Sequence, residues 1–350
     1  MVTGVLGSLV LPSNGLTCMS LLARSRPRFA LVVSLFTLLT PARIFAVSCT
    51  TQAQMADADR TTLVKVATTL ATAVQSGNVV AVQALTIPKV KAQFDSIAST
   101  IEQTAPLLAG ATVTIDALYG LDASDLKSSA EDTQFFCGIP GSPLHVDFTI
   151  PQLPQGRYAL TVVHATGVRQ PQQMAFLLQK NGDWQMAGFF VKPLLVAGHD
   201  SLWYWTRARA FDQKNQKWNA YFYYTTAAYL ASPADFLTST NLEKLNQETA
   251  NSRPDGLPGV QPMMVTAGGK TYSVNDLHTD GSLGGLDLVI RYAGTDVGDP
   301  VATRAQNLEV MKATLAAHPE LREAFHGLWV FAEAPPARPF GNELVMSDIH

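Results

Sequence analysis

Few residues in this sequence are spaced for chemistry. The seven histidines are scattered singly, and no two stand in a His-x-x-x-His or comparable ligand spacing. There is no Gly-x-Ser-x-Gly elbow for a nucleophile and no glycine-rich phosphate loop; "AGGK" at 267–270 lacks a strand–helix setting and reads as a turn. Strand phase sorts what remains, because alternate residues face opposite sides of a sheet. In "RYALTVVHATG", His164 is in step with Tyr158, Leu160 and Val162 and points toward an apolar interior, which makes it the one catalytic candidate, for proton transfer. In "HVDFTI", His145 and Asp147 alternate against Val146, Phe148 and Ile150 and read as solvent-facing; Asp116, in phase with Thr112 and Thr114, reads the same way. A general base needs a group that orients it. No inward carboxylate is evident for His164, so a satisfied core histidine is the competing reading. His318 reads as a helix-start residue before Pro319. No metal site and no cofactor is predicted.

The start of the chain carries the clearest signal. "LLARSRPRFALVVSLFTLLTPARIFAVSC" has Arg24, Arg26 and Arg28, then an apolar run over 29–39, then Pro41 and small residues. That run is too short to span a hydrocarbon core of roughly 30 Å as a helix and fits a secretory signal peptide, placed at 1–48. Met19 lies immediately before this unit, which makes residues 1–18 a candidate extension. Cleavage has two readings: after Ala46, or at "AVSC", which resembles a bacterial lipobox with Cys49 as the lipid-attachment residue. Residues 49–56 then read as a flexible tether. Beyond the leader Cys137 is the only other cysteine, so a cysteine zinc site is excluded, and a disulfide requires an unlipidated Cys49.

Charged residues are only 15% of the chain, against about a quarter in an ordinary soluble domain. Without residues 1–48 the formal charge is −7, from 21 basic and 28 acidic residues, which argues against a nucleic-acid partner.

Between 57 and 195, helical periodicity over "ADRTTLVKVATTLATAVQ" and around 79–85 and 91–108 gives way to period-two segments. The last is "QQMAFLLQKNGDWQMAGFFVKP", where Asn181-Gly182 predicts a hairpin with Lys180 facing Asp183. Helices followed by antiparallel strands give an α+β order. The arrangement resembles the NTF2-like (cystatin-like) fold, a cone of helices on a curved sheet. Members of that family include ketosteroid isomerase and scytalone dehydratase, and the resemblance implies a pocket inside the cone where an Asp or His such as His164 transfers protons.

The aromatic segment "SLWYWTRARAFDQKNQKWNAYFYYTTAAYLASP" resembles a single tetratricopeptide helical hairpin. Ala208 and Phe211 match the small and aromatic positions of its first helix, and Ala220, Tyr224 and Ala227 those of its second. The stripe Tyr204–Ala208–Phe211 against Ala220–Tyr224–Ala227 predicts a buried seam rather than a nucleic-acid or membrane surface. Trp203, Trp205 and Trp218 fall off the stripe and are candidate ligand-binding residues. A third helix is expected to start with Ser232 as cap and Pro233 at its first position, which completes a unit at 196–250. A linker at 251–262 leads to a small α+β domain at 263–350 with a helix capped by Asp299 and begun by Pro300.

The function expected on this reading is non-catalytic. An exported or lipid-anchored protein of the bacterial envelope binds an envelope protein or small hydrophobic ligand through the cone pocket or helical groove, and meets the membrane only through Cys49. The alternative is an isomerase or dehydratase of small hydrophobic substrates centred on His164.

Overall fold

A computed structural model describes residues 47–127, 132–138 and 141–350, all within one compact unit. The signal peptide and the cleavage position at Ala46 lie outside the described residues.

The first strand, β1 (Ser48–Thr51), pairs antiparallel with β2 (Thr112–Ala123), so this stretch is an edge strand where a tether was expected. Between them come α1 (Asp57–Gln75), α2 (Val79–Ala84), α3 (Pro88–Lys91) and α4 (Asp95–Thr104). The α1 stripe Leu63, Ala67, Leu70 and Val74 recurs at helical spacing and is buried, with Asp57 and Asp59 at the end of the helix that favours negative charge. Strands β3 (Thr133–Gly138), β4 (His145–Ile150), β5 (Gly156–Thr166), β6 (Gln172–Asn181) and β7 (Asp183–Pro193) follow. At the β6–β7 turn Asn181 faces Asp183 and Lys180 faces Trp184, with only Gly182 at positive φ. The register is therefore one residue away from the expected Lys180–Asp183 pair, and Lys180 Nζ lies 5.4 Å from the Trp184 ring centre.

These strands do not form a cone. They divide into an open five-stranded sheet, β1-β2-β5-β6-β7, and a separate sheet in which β3 pairs with β4 and β4 pairs with β8 (Leu237–Ser239) from beyond the helical hairpin. Neither sheet closes or curls on itself. Both faces of the larger sheet are filled: Val163, Met174, Phe176 and Leu178 pack beneath α1 and α4, while Leu160, Val162, Ala175 and Leu177 pack against Phe135, Phe148 and Leu237 of the smaller sheet. The face that would line a cone pocket is thus a sandwich core, and the NTF2-like reading is overturned. Period-two segments were correctly read as strands, and β6 and β7 pair as the expected hairpin; the pairing of β4 with β8 was not foreseen.

The aromatic segment forms α5 (Ser201–Gln213) and α6 (Lys217–Ala231), joined through Asn215 at φ 59°. Tyr204, Ala208, Phe211, Ala220, Tyr224 and Ala227 are buried, as a seam requires. No further repeat follows, and the tetratricopeptide resemblance gains no support beyond this hairpin. The expected helix at Ser232 is absent because the Ser232 hydroxyl turns to the Ala234 carbonyl (2.9 Å). Helix α7 (Thr240–Asn251) starts after β8 instead, with the Ser239 side chain accepting from the Leu242 amide.

The C-terminal sheet has the order β13-β12-β11-β10-β9, built from β9 (Met263–Ala267), β10 (Lys270–Asp280), β11 (Asp287–Ala293), β12 (Gly327–Glu333) and β13 (Phe340–Val345). Strands β11 and β12 are parallel, joined across one face by α8 (Pro300–Ala317) and the short α9 (Leu321–Ala324). The Asp299 cap on α8 is present, accepting from Val301 and Ala302. Leu288, Ile290, Leu328 and Val330 face α8 and share a continuous core with Tyr204, Phe222 and Tyr224 of the hairpin.

Cys49 of β1 is disulfide-bonded to Cys137 of β3, 88 residues apart in sequence, and pins the two sheets of the sandwich together. A sulfur so bonded carries no lipid. Closing a loop of this length stabilises chiefly by restricting the unfolded chain. Cys137→Ser should therefore lower unfolding free energy by about 2–4 kcal/mol, read as a lower urea midpoint. A reductant should reproduce the drop in the wild type and add nothing in the variant.

Candidate functional site

Among the described residues two clusters of histidine and carboxylate atoms converge, and neither involves His164. The more buried one lies at the end of the C-terminal sheet where β11 and β12 both begin. Parallel pairing sets Leu288 against Leu328, which places Asp287 beside Gly327 at the strand starts; antiparallel β13 brings Glu343 opposite Trp329 on the same face. Leu288 and Leu328 turn to the core, so by alternation Asp287 and Glu343 stand on the face not covered by α8. His326 is held just ahead of β12 by its amide donating to the Leu286 carbonyl (2.8 Å) and its carbonyl accepting from the Met346 amide (2.9 Å).

Two glycines make room for these side chains. A Cβ on Gly327 would lie 2.6 Å from the Leu344 carbonyl oxygen, 3.0 Å from Asp287 Oδ1 and 3.2 Å from Glu343 Oε1, and one on Gly285 would collide with the His326 ring. In the tautomer protonated at Nδ1, His326 donates to Asp287 Oδ1 at 3.0 Å; the same nitrogen is 3.6 Å from Glu343 Oε1. The Asp287 side chain is 0% exposed, whereas that of His326 is 43% exposed. Solvent therefore reaches the cluster from the histidine side while Asp287 closes it from within.

The electrostatics are out of balance. Asp287 Oδ2 and Glu343 Oε1 are both buried without a hydrogen-bond partner. The contrast with nearby Asn307 is informative: this buried amide accepts from the Tyr292 hydroxyl (2.9 Å) and donates to the Val330 carbonyl (3.0 Å) and Asn342 Oδ1 (2.8 Å). Desolvation pushes the Asp287 carboxyl above the usual carboxylate range, against the pull of His326 and the Gly327 amide. Glu343 is raised by burial first and then by the neighbouring Asp287 charge. Two adjacent carboxylates out of water cannot both ionise without a cation or a shared proton.

The second cluster joins β4 to α7. His145 Nε2 lies 3.6 Å from Asp147 Oδ2 and 3.5 Å from Glu243 Oε2, and its Nδ1 is 3.0 Å from the Thr240 hydroxyl. Burial raises the Asp147 carboxyl and Glu243 adds to the effect, with His145 opposing. The residues read as solvent-facing are half-buried because α7 lies over them. Here the side chains are more open, and Asp147 Oδ1 alone lacks a partner.

His164 does have the inward phase read from its strand, and it borders a cavity of about 310 Å³. A carboxylate is nearby after all: Asp116 Oδ1 lies 3.7 Å from His164 Nδ1, because a β-bulge between Ile115 and Ala117 breaks the phase of β2. The distance is too long for a hydrogen bond. The three tryptophans are tied to neighbours. Trp203 stacks on His199 (3.6 Å between ring centres), Trp205 Nε1 donates to Glu248 Oε2 (2.7 Å), and Trp218 packs on His318 (4.0 Å).

Comparison with known proteins finds no relatives: no family model, no curated protein and no solved structure matches the chain. The function rests on geometry alone. That geometry corrects the expectation of a non-catalytic binder with a cone pocket: the cone is absent, and the histidine–carboxylate clusters favour the catalytic alternative, with its centre moved from His164.

The raised carboxyl pKa values have a consequence for stability. A carboxyl whose pKa is raised on folding binds more protons in the folded state, so stability falls as pH rises from the unfolded pKa through the folded one. In metal-free buffer the wild type should lose stability over that interval, and Asp287→Asn should flatten the slope in urea melts taken at successive pH values.

Proposed function

We propose that this protein is a hydrolytic enzyme whose reaction centre is a divalent metal ion held by Asp287, His326 and Glu343. The observation that carries the reading is the fully buried Asp287 carboxylate, with one oxygen lacking any partner beside the equally unpartnered Glu343 Oε1. A cation is the simplest compensation for both. First-row ions bind nitrogen and oxygen donors at about 2.0–2.2 Å, which sets neighbouring donors roughly 3–3.5 Å apart. With the His326 proton on Nε2 instead, Nδ1 presents its lone pair, and its spacings of 3.0 Å to Asp287 Oδ1 and 3.6 Å to Glu343 Oε1 suit such an ion.

Three protein ligands of this kind leave positions for water and substrate, and the ion supplies Lewis-acid activation of that water. Asp287 anchors the centre from the buried side. Glu343 supplies the second negative charge, and the half-exposed His326 is the side of approach. The Cys49–Cys137 disulfide and the secretory-type leader support an exported location, where disulfides persist.

Titration of the metal-free protein with Mn²⁺ or Zn²⁺ tests the assignment by calorimetry and thermal shift. One ion per chain should bind and raise the melting temperature. Asp287→Asn and Glu343→Gln should each weaken binding by about 100-fold or more, His145→Gln should leave it unchanged, and hydrolysis of p-nitrophenyl esters or phosphates should follow metal occupancy. Equal affinity in wild type and Asp287→Asn would overturn the assignment.

A further inference from the structure

Strand β10 of the C-terminal sheet leaves part of one edge unpaired. Strand β9 covers β10 only from Lys270 to Val274, where Val274 meets Met263. A bulge at Asn275 follows, and from Asp276 to Asp280 the strand continues with β11 on one side alone. Among the described residues no strand, isolated bridge or loop amide pairs with the other side of this segment. At about 3.3 Å per residue the free edge is roughly 17 Å long.

This edge does not face open solvent. It forms one wall of a cavity of about 900 Å³, within the range of ligand sites. The opposite wall is the α6 stripe Phe222, Thr225, Thr226 and Tyr229, spaced at i, i+3, i+4 and i+7. A hydrogen bond between the Thr226 and Thr279 hydroxyls (2.8 Å) fixes the distance between the two walls. At one end Val196 closes in so tightly that a Cβ on Gly281 would lie 2.5 Å from its Cγ1. The charged side chains at the rim, Arg169 and Asp280, are opposite in sign.

We propose that this groove binds an extended peptide segment of another polypeptide, which adds a strand to β10 along Asp276–Asp280. The unpaired backbone donors and acceptors of the edge supply the ladder, as in strand-addition recognition generally. Exposed edges are hazardous when any strand can pair with them. Here the α6 wall and the Val196 closure restrict entry to a single chain. Alternate side chains of the occupant turn toward Phe222 and Tyr229, so apolar residues at every second position fit, and the mixed rim charges select neither a strongly acidic nor a strongly basic sequence. The proposal does not depend on the metal assignment, because Leu277 and Thr279 lie on the helix-covered face of the sheet and Asp287 on the other.

The test is selection from a random octapeptide library against the full protein, counter-selected on Thr225→Trp, whose indole fills the groove. Circular dichroism and melting temperature establish that the variant is folded, and Tyr229→Ala provides a second, cavity-enlarging variant at an exposed position. Enriched peptides should bind the wild type at least tenfold more tightly than Thr225→Trp, and should lose binding when alternate peptide amides are N-methylated. They should also slow hydrogen exchange of amides within 276–280. No enrichment over the variant, equal binding by the N-methylated peptide, or protection confined to other segments would each overturn the proposal.

Discussion

The C-terminal half of the molecule is arranged around one unfavourable act, the removal of the Asp287 carboxylate from water beside a second carboxylate, Glu343. An isolated buried carboxylate costs far more than any single hydrogen bond returns. Folding nonetheless holds both groups together, with His326 the only donor side chain in reach among the described residues. The protein's own groups leave the pair's charge uncompensated, which calls for a shared proton or, as proposed, a bound cation.

The surrounding architecture supplies the stability that such a centre withholds. Strands β11 and β12 run parallel, so their starts coincide, and the α8 crossover buries Val310, Met311 and Leu315 on the opposite face. That core continues without interruption into the aromatic seam of the helical hairpin. Trp205 and Arg209 both reach Glu248, which binds α7 to the hairpin and holds the Glu248 carboxyl below the usual range. Gly327 is the local concession: any side chain there would occupy the space shared by the two carboxylates.

Elements were more legible in the sequence than their partners. The stripe of α1, the buried hairpin seam and the Asp299 cap of α8 follow from local spacing, and local spacing is what sequence patterns report. The cone was misjudged because β3 and β4 form a separate sheet in which β4 pairs with β8, about 90 residues downstream, and no local pattern encodes that pairing. The Asp287–His326–Glu343 cluster was missed for the same reason. "LDLVI" shows a carboxylate at the mouth of an apolar strand and "FHGLWV" a histidine just before another, but only the parallel register brings the two together. For His145 and Asp147 the i, i+2 phase was correct; the helix that covers them came from elsewhere in the chain.

The most direct measurement of the central claim counts protons. Calorimetric titration of Mn²⁺ into the metal-free protein near neutral pH, in buffers of differing ionisation enthalpy, gives the number of protons released per ion bound. If the buried carboxylates hold a proton in place of a cation, binding must expel it, and the account predicts net proton release that disappears in Asp287→Asn. Binding with no proton release, or release unchanged in that variant, would contradict it.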